Sequence, residues 1–158
     1  MTAKEKNEIF WYDRAMQWCS RRELCKSEIK TRLLKAELSS EEIATIIQKL
    51  IDEKFIDENR FVKAFLHDKL EFQKWGLLKI KQALFFKGIP EEIISEALQG
   101  VDKETYFKKF EDIARIKWKS IKGDNKFEID QKLLRFLASK GVSIDDSYKI
   151  LKRLNTKE

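Results

Sequence analysis

The sequence has only one proline and five glycines among 158 residues, and no run of alternating Val, Ile and Thr. An all-β protein needs many turns and alternating strands, so this composition excludes that class. Hydrophobic residues make up 42% of the chain and charged residues 38%. That balance is typical of a helical protein with enough apolar side chains to bury a core. The sequence therefore predicts an all-α fold.

Long apolar stretches and targeting signals are also absent. No apolar run approaches the roughly 20 residues that a transmembrane helix needs. Residues 1–13 lack the apolar core and the small-residue cleavage site of a signal peptide. Cys19 and Cys25 are the only cysteines, too few for a disulfide framework or a four-ligand zinc site. We therefore expect a cytoplasmic protein with reduced thiols and no membrane segment.

The residues that most enzymes use are scarce as well. His67 is the only histidine, which excludes a histidine-based triad and a two-histidine metal site. The five glycines lie far apart, so no phosphate-binding loop is present. Three carboxylate pairs each begin a predicted helix, where they favour the positive end of the helix dipole: Glu41-Glu42, Glu91-Glu92 and Asp145-Asp146. We expect no enzyme, no metal, no cofactor and no small-molecule substrate.

Apolar residues at helical spacing predict nine helices and no strands. The first is expected to run from about Asn7 to Ser20. Residues that can accept hydrogen bonds from free backbone N–H groups precede five later helices: Ser27, Ser39, Asp57, Asp102 and Ser143. Ser39 followed by Glu42 fits a capping box. Three glycines mark helix ends: Gly88, Gly100 and Gly141.

Residues 55–89 carry two helices that meet at Lys74-Trp75-Gly76. The first helix has two apolar stripes, one with Phe61, Ala64, Phe65 and Phe72, the other with Val62, Leu66 and Leu70. In the second helix, three apolar residues lie away from the Leu77, Ile80 and Leu84 stripe: Leu78, Phe85 and Phe86. A surface helix needs only one apolar stripe. We therefore expect this stretch to pack against neighbours on two sides, as the centre of an array.

An internal repeat supports this array. Ile29, Leu33, Leu34 and Leu38 recur 51 residues later as Ile80, Leu84, Phe85 and Ile89, and a further 53 residues later as Leu133, Leu137, Ala138 and Val142. Glu37 stands where the second and third copies have a corner glycine. The repeat predicts three tandem three-helix units, residues 1–55, 56–101 and 102–158, stacked into an elongated, curved array. We expect a monomer, with self-association through aromatic faces as the alternative.

Basic residues cluster around the three corners, and the net charge is +6. The clusters contain Arg21, Arg22, Lys26, Lys30 and Arg32; Lys74, Lys79, Lys81 and Lys87; and Arg115, Lys117 and Lys119. Such a row could bind a phosphate backbone or an acidic protein groove, and salt would weaken the binding. The alternative is that they are ordinary solvated helix faces. Trp75 is interpreted either as a core anchor or as a platform on which a base stacks.

Two stretches resemble the RecX family of bacterial regulatory proteins. The first is Phe-Ile-Asp-x-x-Arg-Phe-Val-x-x-Phe at residues 55–65, and the second is Lys74-Trp75-Gly76 followed by Lys87-Gly88-Ile89. The segment from Arg21 to Leu34 is similar to the Arg-x-x-Ser-x-x-Glu-Leu pattern of that family, although Ser27 and Glu28 are adjacent here. The resemblance is closest over residues 14–98.

This resemblance implies an all-α protein of three three-helix repeats. It also implies a partner, the RecA recombinase filament on DNA, whose growth, ATP hydrolysis and strand exchange the protein would restrain without chemistry of its own. The basic clusters would then contact nearby DNA phosphates. Two alternatives remain, namely a helical DNA-binding protein that acts without RecA, and a helical-repeat scaffold for another protein.

Overall fold

A computed structural model describes residues 1–156, which form nine α-helices and no β-strand. The helices are α1 (Ala3–Arg21), α2 (Lys26–Leu34), α3 (Ser40–Asp52), α4 (Glu58–Glu71), α5 (Leu77–Phe86), α6 (Glu91–Gln99), α7 (Lys103–Trp118), α8 (Lys126–Ser139) and α9 (Ile144–Thr156). The predicted all-α fold is confirmed. Within these residues, no helix combines the length and the apolar character needed to cross a membrane.

Most helices begin at the residues that the sequence predicts. Ser39 and Glu42 form a capping box at the start of α3. The Asp57 carboxylate accepts a hydrogen bond from Arg60 N at 3.1 Å at the start of α4. The Asp102 carboxylate accepts one from Thr105 N, and the Ser143 hydroxyl accepts one from Asp146 N. Local capping chemistry is therefore a reliable guide to where these helices start.

Two predicted helix starts are wrong. Helix α1 begins at Ala3 instead of Asn7, because Thr2 and Glu5 form a capping box there. Helix α2 begins at Lys26, so Ser27 lies inside its first turn and is not the N-cap. The Glu28 carboxylate reaches back to accept a hydrogen bond from Cys25 N at 3.1 Å, which fixes the earlier start.

The three corners of the repeat share one backbone conformation. Glu37, Gly88 and Gly141 have φ angles of 58°, 77° and 91°, all in the left-handed region that favours glycine. A non-glycine residue is strained there, by about 1 to 2 kcal/mol. The first corner keeps the geometry of the other two without the glycine, so Glu37 occupies the equivalent position despite its side chain.

The chain forms two compact units. Unit 1 comprises residues 1–65 and 84–94, and unit 2 comprises residues 66–83 and 95–156. The central helices α4, α5 and α6 are therefore divided between the two. The three-repeat boundaries predicted from the sequence follow the helix register, whereas these units follow contacts, so the boundaries stay a prediction.

Helices α1 and α2 both pack against α3 in unit 1. Their apolar stripes meet in a core of nine buried residues: Ala15, Leu24, Ile29, Leu33, Leu38, Ile43, Ile46, Leu50 and Ile56. Partly buried aromatic side chains, among them Trp11, Tyr12 and Trp18, pack against this core. Each fully buried leucine or isoleucine stabilises the unit by about 1.5 to 3 kcal/mol relative to an exposed one.

Helices α7, α8 and α9 pack against one another in unit 2. Their core includes Tyr106, Phe110, Ala114, Leu133, Leu137, Ile150 and Leu154, all at most 1% exposed. The Tyr106 and Phe110 rings lie 4.9 Å apart between centroids. This aromatic pair adds a preferred ring geometry to the burial of its apolar area.

Part of the central stretch departs from the expected packing. Phe61 and Val62 are buried in α4, as their stripes predict. However, Phe72 is 70% exposed at the joint after α4, and on α5 the off-stripe residues Phe85 and Phe86 are 69% and 85% exposed. The prediction that α5 packs against neighbours on two sides is therefore wrong for this second face, which solvent covers in the described chain.

Candidate partner-binding surfaces

The first basic cluster lies in unit 1, at the end of α1 and along α2. Arg21, Arg22, Lys26 and Lys30 are exposed. Arg32 is half-buried, and its guanidinium carbon lies 5.2 Å from the centre of the Trp18 ring. Arg32 therefore helps to hold α2 against α1 through a cation–π contact. The other four cations remain accessible to a partner.

Two of these accessible cations form weak ion pairs. Lys26 Nζ lies 3.7 Å from Glu58 Oε1, and Arg22 Nη2 lies 3.7 Å from Glu28 Oε2. The cation of each pair is exposed, whereas the Glu58 and Glu28 side chains are only 10% and 19% exposed. At this separation and with a solvated cation, each pair contributes about 0 to 1 kcal/mol. A phosphate or a partner carboxylate could therefore also bind both cations from their exposed side.

Lys87 has a different environment. Its Nζ lies 3.2 Å from Glu28 Oε2 and 5.9 Å from the centre of the Phe65 ring, all within unit 1. Burial acts to raise the pKa of Glu28, but hydrogen bonds from Cys25 N and Lys87 Nζ outweigh it and hold the pKa below its usual value. The charge of Lys87 is thus used within the protein. Its predicted companions Lys74, Lys79 and Lys81 belong to unit 2.

Trp75 is the centre of the basic cluster in unit 2. Lys79 Nζ lies 4.4 Å and Lys69 Nζ 4.9 Å from the centre of its ring. The Trp75 backbone N also donates a hydrogen bond to Lys69 O at 2.9 Å. Because the half-buried indole already contacts two ammonium groups, a stacking base would compete with them. Lys69 was not among the predicted residues, because it reaches Trp75 only through the turn of the chain between them. Lys74 and Lys81 are exposed.

Arg115 in the third cluster is tied to carboxylates of its own helix. It bonds to Glu111 at 3.0 Å and to Asp112 at 3.1 Å. Glu111 is only 1% exposed and also contacts Arg153 Nε at 3.1 Å. Since a buried carboxylate needs cationic partners, Arg115 serves the folded state more than it serves a partner. Lys117 lies over the Phe136 ring, its Nζ 5.2 Å from the centroid, and Lys119 is exposed.

The structure thus sorts the predicted site residues by availability. Six of them are exposed and form no salt bridge within residues 1–156: Arg21, Lys30, Lys74, Lys81, Lys117 and Lys119. Exposed apolar residues on two helices were not among the predicted site residues: Leu34 on α2, at 57% exposure, and Phe85 and Phe86 on α5. The sequence pattern contained the information needed to find Phe85 and Phe86, because both lie off the buried stripe of α5.

Neither cysteine is placed for reaction with a ligand. Cys25 is buried and Cys19 half-buried, and both are free thiols. Burial raises the pKa of each, so little of the reactive thiolate forms near neutral pH. In the described part of the chain, no group of three or more His, Cys, Asp or Glu side chains is arranged to hold a metal ion.

Two protein-family models match this chain. The one described as RecX, first three-helix domain, covers residues 12–50, and the one described as RecX, second three-helix domain, covers residues 57–98. Together they cover more than half of the 158 residues. The chain belongs to the RecX family. The family resemblance found in the sequence motifs is therefore confirmed.

Individual RecX relatives agree with this assignment. Regulatory protein RecX of Clostridium tetani is 33% identical over 154 residues, which are 96% of this chain and 70% of the relative. Regulatory protein RecX of Clostridium beijerinckii is 34% identical over 131 residues, which are 82% of this chain and 61% of that protein. The relatives are thus longer than this chain.

Solved RecX structures show the same fold. The crystal structure of RecX from Lactobacillus salivarius superposes with a TM-score of 0.87 at 22% identity, covering 96% of this chain and 99% of the other. A second crystal structure, of a regulatory protein RecX, gives a TM-score of 0.85 at 22% identity, covering 95% of this chain and 74% of the other. The tandem three-helix organisation of the RecX fold is therefore shared.

Proposed function

We propose that this chain binds the RecA recombinase filament on DNA and restrains filament growth, ATP hydrolysis and strand exchange. The observation that carries the proposal is membership in the RecX family, whose members matched here are named regulatory proteins. The proposal needs no catalytic group, because a protein that occupies a filament surface can block subunit addition by binding alone. We further propose that the protein acts in the cytoplasm as a monomer.

The accessible cations of unit 1 supply the electrostatic part of this mechanism. Arg21 and Lys30 form no salt bridge within the described chain. Arg22 and Lys26 are exposed, and each lies 3.7 Å from its carboxylate oxygen. A filament on DNA presents both phosphates and protein carboxylates, either of which would be attracted to this cluster. We expect binding to weaken steeply as the salt concentration rises.

The decisive experiment measures RecA-dependent ATP hydrolysis on single-stranded DNA with and without this protein. We expect inhibition by the wild type, and weaker inhibition by the triple variant Arg21→Glu, Arg22→Glu, Lys26→Glu at physiological salt. A matched control reverses three exposed cations outside the cluster, with the same change in net charge: Lys4→Glu, Lys6→Glu and Arg14→Glu. Unchanged ATP hydrolysis with wild-type protein would contradict the proposed partner. Equal inhibition by both triple variants would contradict the electrostatic contribution of the cluster.

The exposed cations also favour a second function, DNA binding without RecA. Titration of the protein onto bare duplex and bare single strands separates the two. We expect weak, salt-sensitive binding to bare DNA and much tighter binding to the filament. Equal affinity for bare DNA and for the filament would favour the second function.

A further inference from the structure

Helices α2 and α5 occupy equivalent places in the repeat, and each exposes the equivalent positions of its own surface to solvent. Residues 29–38 and residues 80–89, which are 51 positions apart, have the same sequence of buried, half-buried and exposed residues at all ten positions. Sequence repetition alone predicts the buried positions of such a pair, because these carry the core stripe. The agreement of the exposed positions is a separate observation about the surface.

That shared face carries the same pair of side-chain types in both copies. Lys30 and Leu34 are exposed one turn apart on α2, and Lys81 and Phe85 are exposed one turn apart on α5. Residues four apart lie on the same face of a helix and can contact one surface together. Leu34 is 57% exposed and Phe85 69%, and Phe86 at 85% extends the second copy.

The third copy lacks this pair. At the equivalent positions of α8, Leu134 is half-buried and Ala138 is exposed, so neither the cation nor a large apolar side chain is present. Single exposed apolar residues are common on protein surfaces and need no explanation. The same cation and large apolar residue at the same two positions of two copies, with the third copy different, is harder to attribute to chance.

The chemistry of the pair indicates what covers it. A leucine or phenylalanine side chain is stabilised by an apolar cavity, and the lysine one turn away by a carboxylate at the edge of that cavity. A phosphate backbone would satisfy the lysine but would leave Leu34 in water. A protein surface with an acidic rim around an apolar pocket satisfies both.

We propose that Lys30 with Leu34, and Lys81 with Phe85, are two copies of one docking element, each of which binds an apolar pocket with an acidic rim on a protein subunit. The inference rests on the proposed function, because a filament offers the same pocket on successive subunits. Two linked copies of one element gain avidity when two such pockets are engaged. The third copy leaves α8 outside this contact.

The test replaces the apolar residues with glutamine, an uncharged helix-forming residue. The variants are Leu34→Gln, Phe85→Gln and the double variant, and the matched control is Ala138→Gln at the equivalent exposed position of α8. Affinity for RecA filaments on DNA and affinity for bare single-stranded DNA are both measured. We expect each single variant to weaken filament binding about tenfold and the double variant to weaken it about a hundredfold or more. The control should bind filaments as the wild type does, and no variant should change affinity for bare DNA.

The outcomes separate this inference from the proposed function. If the wild type does not bind filaments, the proposed function fails and the filament as the occupant of this face fails with it. If the wild type binds and the double variant binds equally well, the docking element is wrong while the proposed function stands. A parallel loss of affinity for bare DNA would assign the face to nucleic acid and overturn the inference.

A second pair of variants keeps the test informative if the glutamine variants lose helicity, which circular dichroism reports. Lys30→Glu and Lys81→Glu change only exposed positions, with Lys152→Glu on α9 as the control. If the pocket has an acidic rim, Lys30→Glu and Lys81→Glu should bind filaments more weakly, whereas Lys152→Glu should bind them as the wild type does. Equal filament binding by all three variants would contradict the proposal that the partner pocket has an acidic rim.

Discussion

Helices α2 and α5 begin at equivalent positions of the repeat, yet their first turns are stabilised in different ways. Cys25 precedes α2 and Gly76 precedes α5, 51 residues later. In unit 1 the start of α2 relies on side chains, since the Glu28 carboxylate accepts from Cys25 N and bonds to Lys87 Nζ. Such contacts bring charge together at a partly solvated surface, where each contributes little on its own.

In unit 2 the start of α5 relies on backbone groups. Gly76 N donates to Lys140 O at 2.6 Å, and Leu78 N donates to Gly141 O at 2.9 Å. Leu77 N donates to the buried Tyr106 hydroxyl at 3.0 Å. A Cβ on Gly76 would lie 2.3 Å from the Gly141 carbonyl carbon, so this joint leaves no room for a side chain at that position. The same position of the repeat, the start of its second helix, can therefore be stabilised by side chains or by closely packed backbone. The closely packed start should tolerate substitution much less well.

The largest effect is expected from Gly76→Ala. A Cβ at this position would lie 2.3 Å from the Gly141 carbonyl carbon, so the joint must open. We expect a loss of about 3 kcal/mol in the free energy of unfolding, measured by urea denaturation. The control is Gly100→Ala, whose Cβ would meet its nearest neighbour, Ala97 O, at 3.4 Å. If both alanine variants are equally stable, the close-packed joint is not what requires glycine.

The next effect is expected from Tyr106→Phe, which removes the partner of Leu77 N. An unsatisfied buried N–H group costs about 1 to 3 kcal/mol. Urea denaturation at neutral pH measures this loss. A stability close to that of the wild type would mean that the hydroxyl contributes nothing to the start of α5.

The same tyrosine makes a prediction about alkaline pH. Burial raises the pKa of Tyr106 to about 12, against a smaller opposite effect of the hydrogen bond from Leu77 N. The unfolded tyrosine titrates near pH 10, so its contribution to stability is complete below pH 10 and is lost as the pH rises toward 12. Wild-type stability should fall more steeply than that of Tyr106→Phe in this window, by about 2 kcal/mol. Parallel curves would contradict a buried, neutral tyrosine.

Smaller effects are expected in unit 1, where side chains hold the start of α2. Lys87→Met should cost about 1 kcal/mol or less, since the ion pair with Glu28 is partly solvated. The pKa of Glu28 is lowered, so the stabilising charge is present above its ordinary pKa and is lost as the pH falls through the lowered value. A double-mutant cycle with Glu28→Gln, measured at pH 7 and in acid, checks this. A coupling energy that does not shrink in acid would contradict the ion pair.

The helices were predictable because their signals are local. Capping residues such as Ser39 and Asp102 act within one turn, and the apolar stripes reveal themselves at helical spacing. The joint before α5 was predictable as a turn, but the reason why it needs a glycine was not. The sequence marks Lys74-Trp75-Gly76 as a turn. However, the residues whose backbone requires Gly76 to be glycine, Gly141 and Val142, are distant in sequence, and no pattern in the sequence connects them to it.

The candidate site was less predictable than the fold for a related reason. Each lysine and arginine in the basic clusters looks equivalent in the sequence, and only the folded chain shows that Lys87 and Arg115 are paired with Glu28 and Glu111. Availability of a charge depends on what lies beside it in space. The exposure of Phe85 likewise depends on whether a neighbour covers the second face of α5, which periodicity alone cannot decide.

The smallest effect, and the only stabilising one, is expected at the first corner. Glu37 has a φ of 58° and is exposed, so glycine should relieve backbone strain without removing a buried contact. The unfolded chain also gains freedom from glycine, which offsets part of that relief, so we expect Glu37→Gly to stabilise the protein by about 0.5 kcal/mol. Lys35→Gly is the control, because Lys35 has a φ of −74° and glycine brings only the entropic loss there. The midpoint temperature of thermal unfolding should rise for Glu37→Gly and fall for Lys35→Gly. Midpoint shifts of the same sign for both variants would mean that the left-handed backbone at Glu37 is not strained. The first corner would then share the backbone conformation of the glycine corners without their requirement for glycine.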